Sequence, residues 1–336
     1  IEVILQDRLT VGKERLDSAL EEIHLLCEPV PVPKDTLAYI HYFCGNTESE
    51  EELKARETQR TALYKKTVAL IRAYANIADE MEDAGYTLKE IEGIKKEIDY
   101  YLKLREEIRR ASGETLDLKS YEADMRHLID TYIQADDSIK VSAFDNMPLL
   151  DIIVNSGMAD AINSLPNGIK KDQGAIAETI ENNVRSKIIK DHLIDPAFFE
   201  EMSKLLDTII QQRKANAITY AEYLDKIAFI AKTVKDGKNQ STPDVLKTQG
   251  QRAIYNNTGK DEYLAVQLDN AIKQVKRDGW RGNLAKEREI KAEIFKQIMQ
   301  YSAESGIDVA NEPPEPYGIE NKVEAIFNLI KAQQEY

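Results

Sequence analysis

Two His-x-x-Cys pairs stand near the start of the sequence, His24-Leu-Leu-Cys27 and His41-Tyr-Phe-Cys44. A structural Zn²⁺ takes four N or S ligands, and pairs three residues apart on helical turns supply them. The competing reading is four core residues around the turn at Pro29, Pro31 and Pro33, because free Cys is among the most buried residue types. The core reading is favoured, since neither pair contains Cys-x-x-Cys.

Other candidate chemistry is weaker. Pro243-Asp244 with Glu289-Ile290-Lys291 imitates a metal-dependent nuclease signature, in which carboxylates converge on a divalent ion and a lysine assists the attacking water. Here Glu289 and Lys291 fall in a helical stretch, and residues two apart on a helix face different ways. Asp79-Glu80 imitates the acidic pair of an ATP-driven motor, but a solvated helix face is the favoured reading. No Gly-x-x-x-x-Gly-Lys-[Ser/Thr] string exists to cradle phosphates. His127 and His192 have no Ser or Cys partner in a nucleophile motif and are read as structural.

Residues 273–296 are locally basic. Lys273, Lys276, Arg277, Arg281, Lys286, Arg288, Lys291 and Lys296 outnumber Asp278, Glu287, Glu289 and Glu293, in a chain whose formal charge is −14. Trp280, the single tryptophan, sits between Gly279 and Gly282. One reading makes Lys276, Arg277, Trp280, Arg281 and Lys286 an aromatic anchor with a basic rim, for a partner protein or DNA phosphate. The other has Trp280 plug the joint between two helices. A second ambiguous stretch is Glu178, Glu181, Asn182, Asn183 and Arg185, a polar ridge opposite Ile176, Ile180, Val184 and Ile188. It is a solvated face, or a network that fixes neighbouring helices or contacts another domain of the parent polypeptide.

The elements that would position these residues are helices. Between Pro33 and Pro148 there is no proline, and the composition there favours helix. Ser49/Glu52, Thr87/Glu90 and Thr219/Glu222 are capping-box pairs, and Asp195-Pro196 reads as an N-cap and first turn. Apolar stripes follow: Leu63, Leu70, Ile71, Tyr74, Ile77, Ala78 and Met81; then Leu88, Ile91, Ile98, Leu102 and Ile108; then Met202, Leu205, Leu206, Ile209 and Ile210; then Tyr220, Tyr223, Leu224, Ile227, Ala231 and Val234. Gly85 and Gly113 mark ends. No period-2 alternation supports a sheet. The expected fold is all-α, a multi-helix bundle with a long-helix arm. No apolar run approaches the roughly 18 residues of a membrane span. The two cysteines make no disulfide framework, and the net negative charge disfavours nucleic-acid binding by the whole surface. The chain begins at Ile1 rather than Met and is read as a fragment of a longer polypeptide.

From about residue 118 the chain resembles the C-terminal region of the restriction subunit of type I restriction-modification enzymes. The resemblance rests on Tyr121-Glu-Ala-Asp-Met-Arg126-His-Leu-Ile-Asp130-Thr-Tyr-Ile-Gln-Ala135, Leu150-Asp-Ile-Ile-Val-Asn-Ser-Gly157 and Ala177-Glu-Thr-Ile-Glu-Asn-Asn-Val-Arg185. It continues through Asp195-Pro, Ala217-Ile-Thr-Tyr-Ala-Glu-Tyr223, Arg252-Ala-Ile-Tyr255 and Asp278-Gly-Trp-Arg-Gly-Asn283 with Lys286-Glu287. It covers roughly residues 118–298, and more loosely 1–117. In that family a nuclease domain and two motor domains, which use ATP and Mg²⁺, precede this region. The region attaches the subunit to the methyltransferase and specificity subunits.

The resemblance implies a non-catalytic docking module in the cytoplasm of a bacterium or archaeon, reaching DNA through its complex and without any metal at His24, Cys27, His41 and Cys44. The expected organisation is a segment following the upstream motor domain at 1–48, a long-helix arm at 49–117 and a bundle core at 118–236. A mobile loop at 237–258, a helical pair with the basic Trp turn at 259–301, and a Pro-rich linker with a terminal helix at 302–336 complete it. The alternatives are an unrelated helical adaptor, or a module that contacts DNA directly through residues 273–296.

Overall fold

Leu9, Leu16 and Ile23 recur every seven residues, two helical turns, so a helix through them buries a narrow stripe. In a computed structural model they do lie on one long helix, α1 (Glu2–Cys27), and all three are buried. The structure describes residues 2–114, 128, 131–132, 147–305 and 318–336. His127 and Pro313, Pro314 and Pro316, with most of the stretch Tyr121–Ala135, lie outside the described residues. Every regular element among those described is helical, as expected; there is no strand. The chain divides into two compact units, Ile1–Ser186 with Ile209–Ala231, and Lys187–Thr208 with Lys232–Tyr336.

The first unit holds α1, α2 (Thr36–Cys44), α3 (Glu50–Ala55), α4 (Glu57–Ile77) and α5 (Leu88–Ser112). The short helices α6 (Leu149–Ser156), α7 (Met158–Asn163) and α8 (Asn167–Lys170) follow. Leu63, Leu70, Ile71, Tyr74 and Ile77 of α4 are buried, as their spacing predicts, and α4 packs on α1. The contact is close: a Cβ on Gly12 of α1 would stand 2.3 Å from Ile77 Cγ2. Helices α4 and α5, the two long elements expected as an arm, pack on each other and on α2.

Local signals mark several helix ends. Thr87 and Glu90 form the capping box of α5, and Gly113 closes that helix in the left-handed region at φ 67°. Ser49 differs from expectation. It precedes α3 without a side-chain cap, and the Glu52 carboxylate, the other half of the expected box, accepts instead from the Asn46 backbone N–H at 3.0 Å. The helical run then breaks at Arg56, so α3 and α4 are separate helices.

Helices α9 (Gln173–Asp191), α10 (Pro196–Lys214) and α11 (Tyr220–Asp236) come next, and the unit boundaries fall within them. Thr219 and Glu222 exchange the two hydrogen bonds of a capping box ahead of α11. Asp195 caps α10 by accepting from the Phe198 N–H, with Pro196 in the first turn.

The second unit is built on α12 (Gln249–Asn257), α13 (Glu262–Val275), α14 (Leu284–Ser305) and α15 (Gly318–Ala332). Its core gathers Ile254, Leu264, Leu268, Ile272, Ile290, Ile294, Ile298, Phe327 and Ile330. The stretch expected as a mobile loop at 237–258 contains α12. Its start was legible as Thr248-x-x-Gln251, a capping box that the structure forms, and Ala253 and Ile254 anchor it in the core. No described helix is long and apolar enough to cross a membrane.

Candidate functional site

The polar ridge of α9 is not solvated. Every residue from Ala175 to Arg185 is buried, so this helix is enclosed on all sides and its polar side chains need partners. Within the first unit Glu181, fully buried, provides the centre. Its two oxygens accept from Arg213 Nε at 2.7 Å and Arg213 Nη2 at 3.0 Å, and Oε2 also accepts from Thr47 Oγ1 at 2.8 Å. Burial pushes the Glu181 carboxyl above the usual range, and the Arg213 fork opposes that shift. Arg185 Nη2 donates to the Thr47 carbonyl at 3.0 Å. Asn183 Nδ2 donates to the carbonyls of Arg110 and Thr179, both at 2.8 Å.

The same seam ties in α2 and α11. His41 Nε2 lies 2.7 Å from Glu178 Oε2, and that bond holds the imidazole pKa above its ordinary value, against a burial effect that lowers it. Tyr223 Oη donates to the Ala177 carbonyl at 3.1 Å, and the Arg213 guanidinium stands 5.7 Å from the Tyr223 ring centroid. Helix α9 also comes close to the end of α5: a Cβ on Gly113 would stand 2.8 Å from Asn183 Cα. Glycine is needed there both for the left-handed turn and for this approach. The seam is a charge-paired joint that fixes α2, α9, α10 and α11 in one arrangement.

In the second unit the basic turn is put to internal use. Trp280 is only 3% exposed and meets the Phe327 ring edge-on, with 5.8 Å between centroids. It sits in the core as a plug between α13 and α14, and has no open ring face to offer a partner. The Arg281 guanidinium stacks 4.7 Å from the Trp280 centroid, while Nε donates to the Lys331 carbonyl at 3.1 Å and Nη2 to that of Gln333. Those carbonyls end α15, where a cation also meets the negative pole of the helix dipole. Lys276 Nζ donates to the Glu335 carbonyl at 2.9 Å and Lys286 Nζ to the Asp278 carbonyl at 2.6 Å. Arg277 remains 71% exposed, with Glu289 at 3.8 Å. The last residues are held from the other side as well. Tyr336 Oη donates to Asp269 Oδ1 at 2.6 Å, and Glu335 Oε1 accepts from the Gly250 N–H at 2.9 Å.

Asp195 is the hub at the start of α10. It accepts from Asn256 Nδ2 and Asn257 Nδ2, both at 2.7 Å, besides capping Phe198. Burial nevertheless pushes its carboxyl up to about 6, against the lowering effect of those three donors.

The four His and Cys side chains are not gathered into a site. His24 Nε2 meets Glu97 at 2.6 Å and His41 meets Glu178. Cys27 and Cys44 are buried, and desolvation pushes their thiols up to about 11 and about 12. Among the described residues no group of three or more His, Cys, Asp and Glu side chains is placed to hold a metal ion. The nuclease-like residues are also dispersed: Lys291 pairs with Glu324 at 2.6 Å, while Glu289 faces Arg277. Glu80 of the motor-like acidic pair bonds Arg8. Comparison with protein-family models, with curated proteins and with solved structures returns no significant match.

Proposed function

We propose that this chain is a non-catalytic helical docking module, the C-terminal region of a restriction subunit of the type I class. It would hold an ATP-driven DNA translocase and nuclease onto a methyltransferase and specificity core. Its contribution is shape: rigid helices present a fixed surface, and a stable interface of standard size buries about 1,600 Å². The cofactors ATP and Mg²⁺ belong to the upstream domains on this reading.

The observation that carries it is where the family-like residues fall. Glu178, Glu181, Asn183 and Arg185 are in the buried seam, Asp195 is the hub of α10, Trp280 is in the core, and Glu287 bonds Lys331 at 2.8 Å. These are architectural positions, as a conserved-shape scaffold requires. Mixing the purified chain with methyltransferase and specificity subunits tests the proposal by size-exclusion chromatography with light scattering. A stoichiometric complex is expected, without ATP or DNA turnover by the chain alone. A folded chain that elutes apart from both subunits overturns it.

A further inference from the structure

We propose that the outward face of α14 seats an amphipathic helix of a partner protein, one that is apolar along its contact and acidic at its margin. This deepens the docking function proposed above and rests on it. Helix α14 has two apolar faces. Ile290, Ile294, Ile298 and Tyr301 form the inner one and are buried. Leu284, Arg288, Ala292, Phe295, Met299 and Ala303 form the outer one, at steps of four, four, three, four and four, which keep them on one side of a helix. Leu284 is 71% exposed, Phe295 43% and Met299 44%. The stripe is about 28 Å long at 1.5 Å per residue. Exposed Leu, Phe and Met aligned on one helix face mark an interaction site, and Phe, Met and Arg are the side chains interfaces favour.

The charge pattern selects the occupant. Arg288 stands within the stripe, one turn from its N-terminal end, exposed, and makes no hydrogen bond or ion pair with any described residue. The stripe has no carboxylate of its own. Glu289 lies at its edge beside Arg277, and Lys296 borders it. A second copy of this chain would bring Arg288 against an equally cationic face. Nucleic acid would leave Leu284, Phe295 and Met299 against phosphate and find a single cation within the stripe. A helix with apolar side chains and a flanking carboxylate buries the stripe and gives Arg288 a charge-assisted partner.

Two probes test this with the full chain: the purified methyltransferase–specificity core, and a fluorescein-labelled 22-residue designed helix of Leu, Ala and Glu. A matching peptide with Lys in place of Glu is the control. Phe295→Asp and Arg288→Glu change exposed positions, and each is checked for an unaltered far-UV circular dichroism spectrum. At least one probe is expected to bind the wild-type chain ten or more times tighter than either variant, with Arg288→Glu gaining affinity for the Lys peptide. The inference falls if neither probe discriminates in this way, or if the Lys peptide binds the wild type as well as the Glu peptide does. It also falls if Phe295→Asp abolishes a concentration-dependent dimer instead. A core that binds wild type and variants alike, with a Glu peptide that does not discriminate either, removes the inference and leaves the docking function standing. Arg288-dependent capture of the Glu peptide, without core binding, does the reverse.

Discussion

The α9 seam and the Trp280 turn are both rich in charge, and both read ambiguously in sequence, yet they are settled by different means. In the seam Glu181 is fully enclosed, so it requires an opposite charge and receives the bidentate Arg213 fork. At the turn, Lys276, Arg281 and Lys286 reach solvent and are satisfied by backbone carbonyls. Carbonyl partners leave those cations their charge. The seam is electrically closed, whereas the turn keeps a positive field while its hydrogen bonds serve the fold. Burial, more than composition, decides which solution is used, because the cost of an unpaired ion rises steeply as water is withdrawn.

Breaking the seam should therefore have the largest effect. Arg213→Ala leaves the buried Glu181 carboxyl without its main partner, and is expected to cost about 3–5 kcal/mol in urea unfolding followed by circular dichroism. A loss below about 1 kcal/mol would show the seam to be wetter than its burial implies. Asp195 comes next, and its sign is opposite to that of a salt-bridged carboxylate. Unfolded, it titrates near 3.9, whereas in the fold it is raised to about 6. The folded state thus binds the extra proton between those values, and stability falls as pH rises from about 4 to about 6. Asp195→Asn should remove up to about 3 kcal/mol of that slope relative to wild type. Parallel pH profiles of the two proteins would contradict the assignment. The smallest effects belong to the turn. Arg281→Ala should cost about 1–2 kcal/mol through two lost carbonyl bonds, read in the fluorescence of the lone Trp280. Arg277→Ala should stay within about 0.5 kcal/mol. Equal losses at these two arginines would erase the distinction between carbonyl-clamped and exposed, loosely paired cations.

How much of this was legible follows from the range of the interactions. Thr87/Glu90, Thr219/Glu222 and Asp195-Pro196 could be placed because a cap is made within three residues of itself. The stripes of α4 and α11 were equally visible, since periodicity states which face is buried. Leu88 and Leu205 are exposed despite their place in the stripes, Leu88 because it opens α5 at its first turn. The seam was only half visible. Ile176, Ile180 and Val184 declare one buried face, but nothing local says that the opposite face meets Arg213, 32 residues on, or Thr47, 134 residues back. Gly279 and Gly282 place Trp280 between two helices, but its burial depends on Phe327, which no short motif announces. Helix α1 falls in the stretch expected only as a segment following an upstream motor domain, although Leu9, Leu16 and Ile23 carry its period.

The complete enclosure of α9 has a consequence for the evolution of its length. Each residue advances a helix by about 100°. Deleting one position between Thr179 and Arg185 would swing every preceding side chain around the axis and send isoleucines to the carboxylate and guanidinium sockets. Point substitutions at its ends are tolerable, but insertions and deletions inside this stretch are not, so related chains should differ in length in their loops and never here.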